Sequence, residues 1–126
     1  MKVQFTLGMA IGLALGATAV HALHAQARPP VYYVAEVDVT DPEQYIKEFV
    51  PKAATSADAY GGRTLAAGSK VTAIEGRPPK NRVVIMRWKS LEQIKAWRES
   101  SRYKEARKIG DQYAASVRGF AVEGLP

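Results

Sequence analysis

The chain contains no cysteine, and its only two histidines, His21 and His24, lie in an N-terminal run that reads as a removable leader. A mature protein starting after that leader has no thiol and no imidazole. Thiolate nucleophiles, disulfides, cysteine metal sites, histidine-ligated haem and any Ser-His-Asp arrangement are therefore excluded. No group of carboxylates has metal-ligand spacing either, and the Gly61-Gly62 pair lacks the lysine and following helix of a phosphate loop. No cofactor and no metal are expected. The chain also lacks a twin arginine and any apolar run of the roughly 20 strongly apolar residues that a spanning helix needs.

The leader itself has clear parts. Lys2 supplies a thin positive start, and Phe5 to Val20 is uncharged and apolar, diluted by Gly and Ala. Ala25-Gln26-Ala27 places small residues at the −3 and −1 positions of a signal-peptidase site. Residues 1–27 read as a secretory signal peptide cleaved after Ala27, and residues 28–126 as one small domain, periplasmic or secreted. A retained membrane anchor is the alternative. After cleavage no membrane partner is expected. Stability without disulfides must come from packing and oligomerisation.

The formal net charge of the whole chain is +6, and the leader removes one of those charges with Lys2. The one dense basic stretch, Arg98 to Lys108, is interrupted by Glu99 and Glu105. It reads as a solvated helix face rather than a nucleic-acid patch.

After the stiff Arg28-Pro29-Pro30, residues 31–39 alternate as a strand. Tyr33, Ala35, Val37 and Val39 form the cleaner apolar face, which should meet helices; Tyr32, Val34, Glu36 and Asp38 form the other. Asp41-Pro42-Glu43-Gln44 is a helix start, with Asp41 as N-cap. Tyr45, Phe49, Ala53 and Ala57 follow at helical spacing, and Pro51 should kink or split the helix because it cannot donate to the Lys47 carbonyl. Tyr60-Gly61-Gly62 ends it. Residues 63–75 read as a strand broken at Gly68, residues 76–81 as a loop, and residues 82–88 as the strongest strand. Ser90 caps a second helix with Leu91, Ile94 and Trp97 as its buried stripe. Ser100-Ser101 restarts a helical segment carrying Tyr103, Ala106 and Tyr113 and ending between Gly110 and Ser116, and residues 117–123 are the last strand. The order predicts a ferredoxin-like βαββαβ α+β sandwich: an antiparallel four-stranded sheet with both helices on one face. The uncovered face is half apolar, which predicts a homodimer packed sheet against sheet around a cavity.

Taken in order, several segments resemble the domain-of-unknown-function family thirteen-thirty. They are Tyr32 through Asp41-Pro42 and Tyr45, then Tyr60-Gly61-Gly62-Arg63, then Glu75-Gly76. Arg82-Val83-Val84-Ile85 with Trp88 and Ser90 follows, and finally Trp97, Ser100 and Tyr103. The resemblance implies the dimeric α+β barrel superfamily and no particular reaction. That superfamily includes cofactor-free monooxygenases, small-ring isomerases and haem-handling enzymes, with sites between sheet and helices or inside the barrel.

Six residues are candidates for a site. Glu36, mid-strand on the uncovered face, is the candidate general base, with an ion pair across the dimer or a solvated edge position as the alternatives. Arg63 is a candidate anion holder; Arg87 is a candidate ligand-binding residue and a candidate ion partner for Glu36. Tyr32, Tyr60 and Tyr103 are candidate hydrogen-bond donors to a ligand. Three functions remain open: binding of a small organic molecule in a homodimer cavity, a cofactor-independent monooxygenase or isomerase, and an interaction module without ligand.

Overall fold

Alternation along the first strand sets the layout. In the computed structural model, which describes residues 28–126, β1 (Val31–Val39) buries every odd-numbered residue and leaves every even-numbered one half-exposed, as the sequence predicts. The leader lies outside the described residues. β2 (Arg63–Gly68), β3 (Arg82–Trp88) and β4 (Ala114–Glu123) complete an antiparallel sheet of order β2-β3-β1-β4. This is the ferredoxin-like α+β arrangement.

The helical layer begins with a single turn, α1 (Pro42–Gln44). Asp41 caps it by accepting from the Gln44 N–H at 3.2 Å. The chain then widens into a π-turn over Tyr45–Phe49 before α2 (Val50–Ala59). Pro51 splits the helix as expected: with no N–H at 51 the ladder shifts by one residue, and the Val50 N–H donates to Tyr45 O. At the far end Gly61 takes φ +88°. The Gly61 and Gly62 N–H groups donate back to Asp58 O and Ala57 O at 3.2 and 3.0 Å, which closes the last turn. Ser90 caps α3 (Leu91–Glu99) through the Gln93 N–H. Ser100 caps α4 (Ser101–Gly110) through the Tyr103 N–H.

Three expectations need correction. The second strand stops at Gly68, and residues 69–81 have no regular structure, since Lys70 to Lys80 lie on the surface without a strand partner. Leu91 stays exposed, so the buried stripe of α3 is Ile94 and Trp97 alone. Tyr113 follows the end of α4, where its carbonyl accepts the Thr40 N–H at 2.9 Å. The open end of β1 is closed by Asn81, whose amide both accepts from the Val39 N–H and donates to Val39 O at 2.8 Å.

The core falls into two clusters on the helix side of the sheet. One gathers Tyr33, Met86, Trp88, Ile94, Trp97 and Tyr103; the other gathers Val37, Val39, Tyr45, Phe49 and Ala106. Trp97 is central to the first, with ring centroids 5.0 Å from Trp88, 5.6 Å from Tyr33 and 4.5 Å from Tyr103.

Candidate ligand cavity

Between the two core clusters lies a cavity of about 290 Å³. Its floor is the helix-facing side of the sheet (Ala35, Val37, Val84, Met86), and its roof is the π-turn and α2 (Phe49, Val50, Ala53). Ala54, Thr64 and Ala67, all exposed, stand at its mouth. An apolar cavity of roughly 150 Å³ holds one benzene, so this one has room for two fused rings.

The polar groups in that apolar lining all carry donor hydrogens, the Thr64 hydroxyl at the mouth among them. Tyr33, Tyr45 and Tyr103 contribute phenols, and Arg82 and Arg107 contribute guanidinium groups; no carboxylate lines the cavity. Behind the lining, Arg98 of α3 donates to the hydroxyls of Tyr33 (3.4 Å) and Tyr103. Its guanidinium also lies 4.6 Å from the centroid of the Tyr103 ring. Arg82 sits over the Tyr45 ring at 5.7 Å and Arg107 over Phe49 at 5.8 Å. Arg107 is held by Asp111 at 2.8 Å, one helical turn on.

Burial pushes the Tyr33 phenol above the usual 10.0, against the opposing pull of Arg98. Burial also raises Tyr45, against Arg107 and Arg82. Desolvation outweighs the neighbouring cations in both cases, so these phenols remain neutral donors at physiological pH. The π-turn matters to this geometry because it places Tyr45, Phe49 and Val50 together on the cavity wall. Gly119 matters on the sheet side, where a Cβ would overlap the Tyr33 hydroxyl.

The six residues singled out from sequence do not converge. Tyr103 alone lines this cavity. Tyr60 is the exposed C-cap of α2. Tyr32, Glu36, Arg63 and Arg87 share the opposite, helix-free face of the sheet, where Tyr32 pairs with Arg87 and Arg87 with Arg63 in register. Glu36 is registered with Val83 and Arg118, so its ion partner is Arg118 at 3.2 Å rather than Arg87. The cavity expected around Glu36, Tyr32 and Arg63 is one that two paired sheets would enclose; the apolar cavity of the single chain lies on the helix side. Sequence reasoning placed Tyr33 and Tyr45 on core-facing stripes and read them as packing. The overlooked signal was hydroxyls on otherwise apolar stripes, with Arg107 one turn beyond Tyr103.

A family comparison decides the kinship. Residues 30–125 match the family described as "Domain of unknown function (DUF1330)". The chain belongs to that family. Comparison with curated proteins gives no match. Among solved structures, the DUF1330 chain is similar to a protein of unknown function from Rhodopseudomonas palustris. The TM-score is 0.65 at 13% identity, covering 86% of this chain and 93% of that one. It is also similar to SnoaB, a cofactor-independent oxygenase from Streptomyces nogalater (TM-score 0.56, 13% identity, 78% and 95% covered). A third likeness is to a dimeric protein of unknown function and ferredoxin-like fold from Bacteroides fragilis (TM-score 0.52, 13% identity, 75% and 95% covered). At 13% identity these likenesses establish a shared ferredoxin-like fold and no shared activity.

Proposed function

We propose that this DUF1330 protein is an exported homodimer that binds a small, flat organic molecule in the helix-side cavity. The ligand presents acceptor oxygens to Tyr33, Tyr45 and Tyr103. The observation that carries this reading is the composition of the lining: an apolar slot whose polar groups are phenols, guanidinium groups and the Thr64 hydroxyl, all of them able to donate. Such a site favours a ring system bearing carbonyl, phenolate or carboxylate oxygen and disfavours a cation. Export is supported by the leader's sequence features, and no helix among the described residues is long and apolar enough to cross a membrane. Homodimerisation is supported by the half-apolar uncovered sheet face and by the dimeric neighbour of the same fold.

Trp97 lines the cavity and reports on its contents. Titration with neutral 1-naphthol is expected to quench its fluorescence saturably. The Ala53→Phe variant, which fills the slot, is expected to abolish the quench. Non-saturable quenching, or equal binding by Ala53→Phe, overturns the cavity reading.

One observation favours a second reading, a cofactor-independent monooxygenase or isomerase. Donors converging on one slot also suit an enolate oxygen. The cavity offers no carboxylate or imidazole to take a proton, and Glu36 lies across the sheet. Such chemistry therefore requires a substrate that ionises unaided. Uptake of dioxygen that depends on a bound hydroxyaromatic, and is lost in Ala53→Phe, identifies it.

A further inference from the structure

At the Trp88 end of β3, away from the cavity's Arg82, four cationic side chains line one cleft of about 670 Å³: Arg28, Arg63, Arg87 and Lys89. Two of them, Arg63 and Arg87, are direct register partners across the β2–β3 pair. Like charges placed directly opposite on neighbouring strands destabilise a sheet. No Asp or Glu lines the cleft, and none of the four cations forms a salt bridge among the described residues. The wall also includes Ser90, at the N-terminus of the nine-residue α3, whose hydroxyl oxygen accepts the Gln93 N–H, and Trp88, a core residue 1% exposed. Tyr32 stands beside Arg87 on the neighbouring strand.

We propose that this cleft binds the oxyanion group of a small molecule, a carboxylate or a phosphate bridged between the Arg63 and Arg87 guanidinium groups. Guanidinium forks match the oxygens of either group with paired, charge-assisted hydrogen bonds. A bridging oxyanion also converts the repulsion between two facing arginines into two attractions. Arg28 and Lys89 add long-range attraction, and the positive end of α3 acts in the same direction. The site shares no lining residue with the helix-side cavity, so either can fail without the other.

The test is a titration of the isotope-labelled full chain with inorganic phosphate, with acetate and with chloride, at constant ionic strength. Amide resonances of Gly61, Lys89 and Ser90 are followed. Saturable shifts with phosphate or acetate, absent with chloride, are expected, and whichever oxyanion binds tighter names the source. The Arg63→Gln/Arg87→Gln variant replaces two side chains that are exposed in the single chain, at one end of the sheet face proposed to pair, and is expected to fold. It should weaken that association about tenfold or more while leaving 1-naphthol binding unchanged. Equal shifts with chloride reduce the cleft to general screening and overturn the proposal, as does undiminished oxyanion affinity in the double variant. If no oxyanion binds the wild type and the double variant instead changes the oligomeric mass, the occupant is a carboxylate of a second copy, and the small-molecule proposal falls.

Discussion

A single hydroxyl holds the central tryptophan in place. Ser56, 1% exposed, accepts from Trp97 Nε1 at 3.0 Å and donates to Ala53 O at 2.7 Å. Ser56→Ala leaves the indole N–H buried without an acceptor and should cost about 1–3 kcal/mol. For a domain of this size that lowers Tm by about 4–8 °C per kcal/mol. A thermal melt checks it, and an unchanged Tm refutes the assigned role. The buried phenols give a second residue-scale prediction. Tyr33 and Tyr45 ionise at higher pH in the folded protein than in the unfolded chain, where the value is near 10.0. Above that value the native state retains protons that the unfolded state has lost, so stability falls as pH rises through the window up to the folded values; below it the contribution is complete. Melts taken between about pH 9 and pH 11 should show this decline, and Tyr33→Phe should make it shallower. A Tyr33→Phe profile parallel to wild type counts against the effect. At this scale the sequence is an incomplete guide. Ser56 and Arg98 matter through partners 41 and 65 positions away in the chain, Trp97 and Tyr33, and no local pattern encodes such pairings.

Elements were far more legible than sites, because their determinants are local. Asp41, Ser90 and Ser100 each cap a helix through the N–H three residues on, at 3.2 Å. Alternation in β1 correctly divided its two faces. What failed was also local in cause. Residues 69–75 resemble a strand in composition, yet a strand needs a neighbour, and β3 offers register partners to β2 only as far as Gly68. The split at Pro51 was foreseeable from the missing N–H, but the π-turn that absorbs it was not, and that turn shapes the cavity wall. Asp41 belongs to this scale. Its side chain is exposed and holds one N–H of α1, so Asp41→Ala should cost about 1 kcal/mol and leave 1-naphthol affinity unaltered. A denaturant midpoint together with the fluorescence titration separates the two. A large loss of affinity would instead make the entry to the π-turn part of the binding site.

At the scale of the whole molecule, the sheet has two faces and the helices cover one. Val34, Val83 and Ile85 lie half-buried on the other, flanked by Phe120 and Val122 at 44% and 53% exposure. The Glu36–Arg118 pair sits on the same surface. Contiguous apolar area of this kind on a small domain is ordinarily covered by a partner. A two-fold related copy of the same face is the simplest cover, since residues of each protomer then meet their own counterparts' surroundings. Phe120 is a suitable probe because it lies outside both core clusters, so a charge there acts on association before it acts on folding. Sedimentation of the wild type is expected to give twice the chain mass, and Phe120→Glu to give one chain mass with an intact far-ultraviolet spectrum. Burying a carboxylate against a second copy costs more than the lost aromatic contact alone. The variant should therefore remain monomeric at concentrations where the wild type is fully paired. A wild type that sediments as one chain at micromolar concentration refutes the dimer and leaves the helix-side cavity as the property of a single subunit.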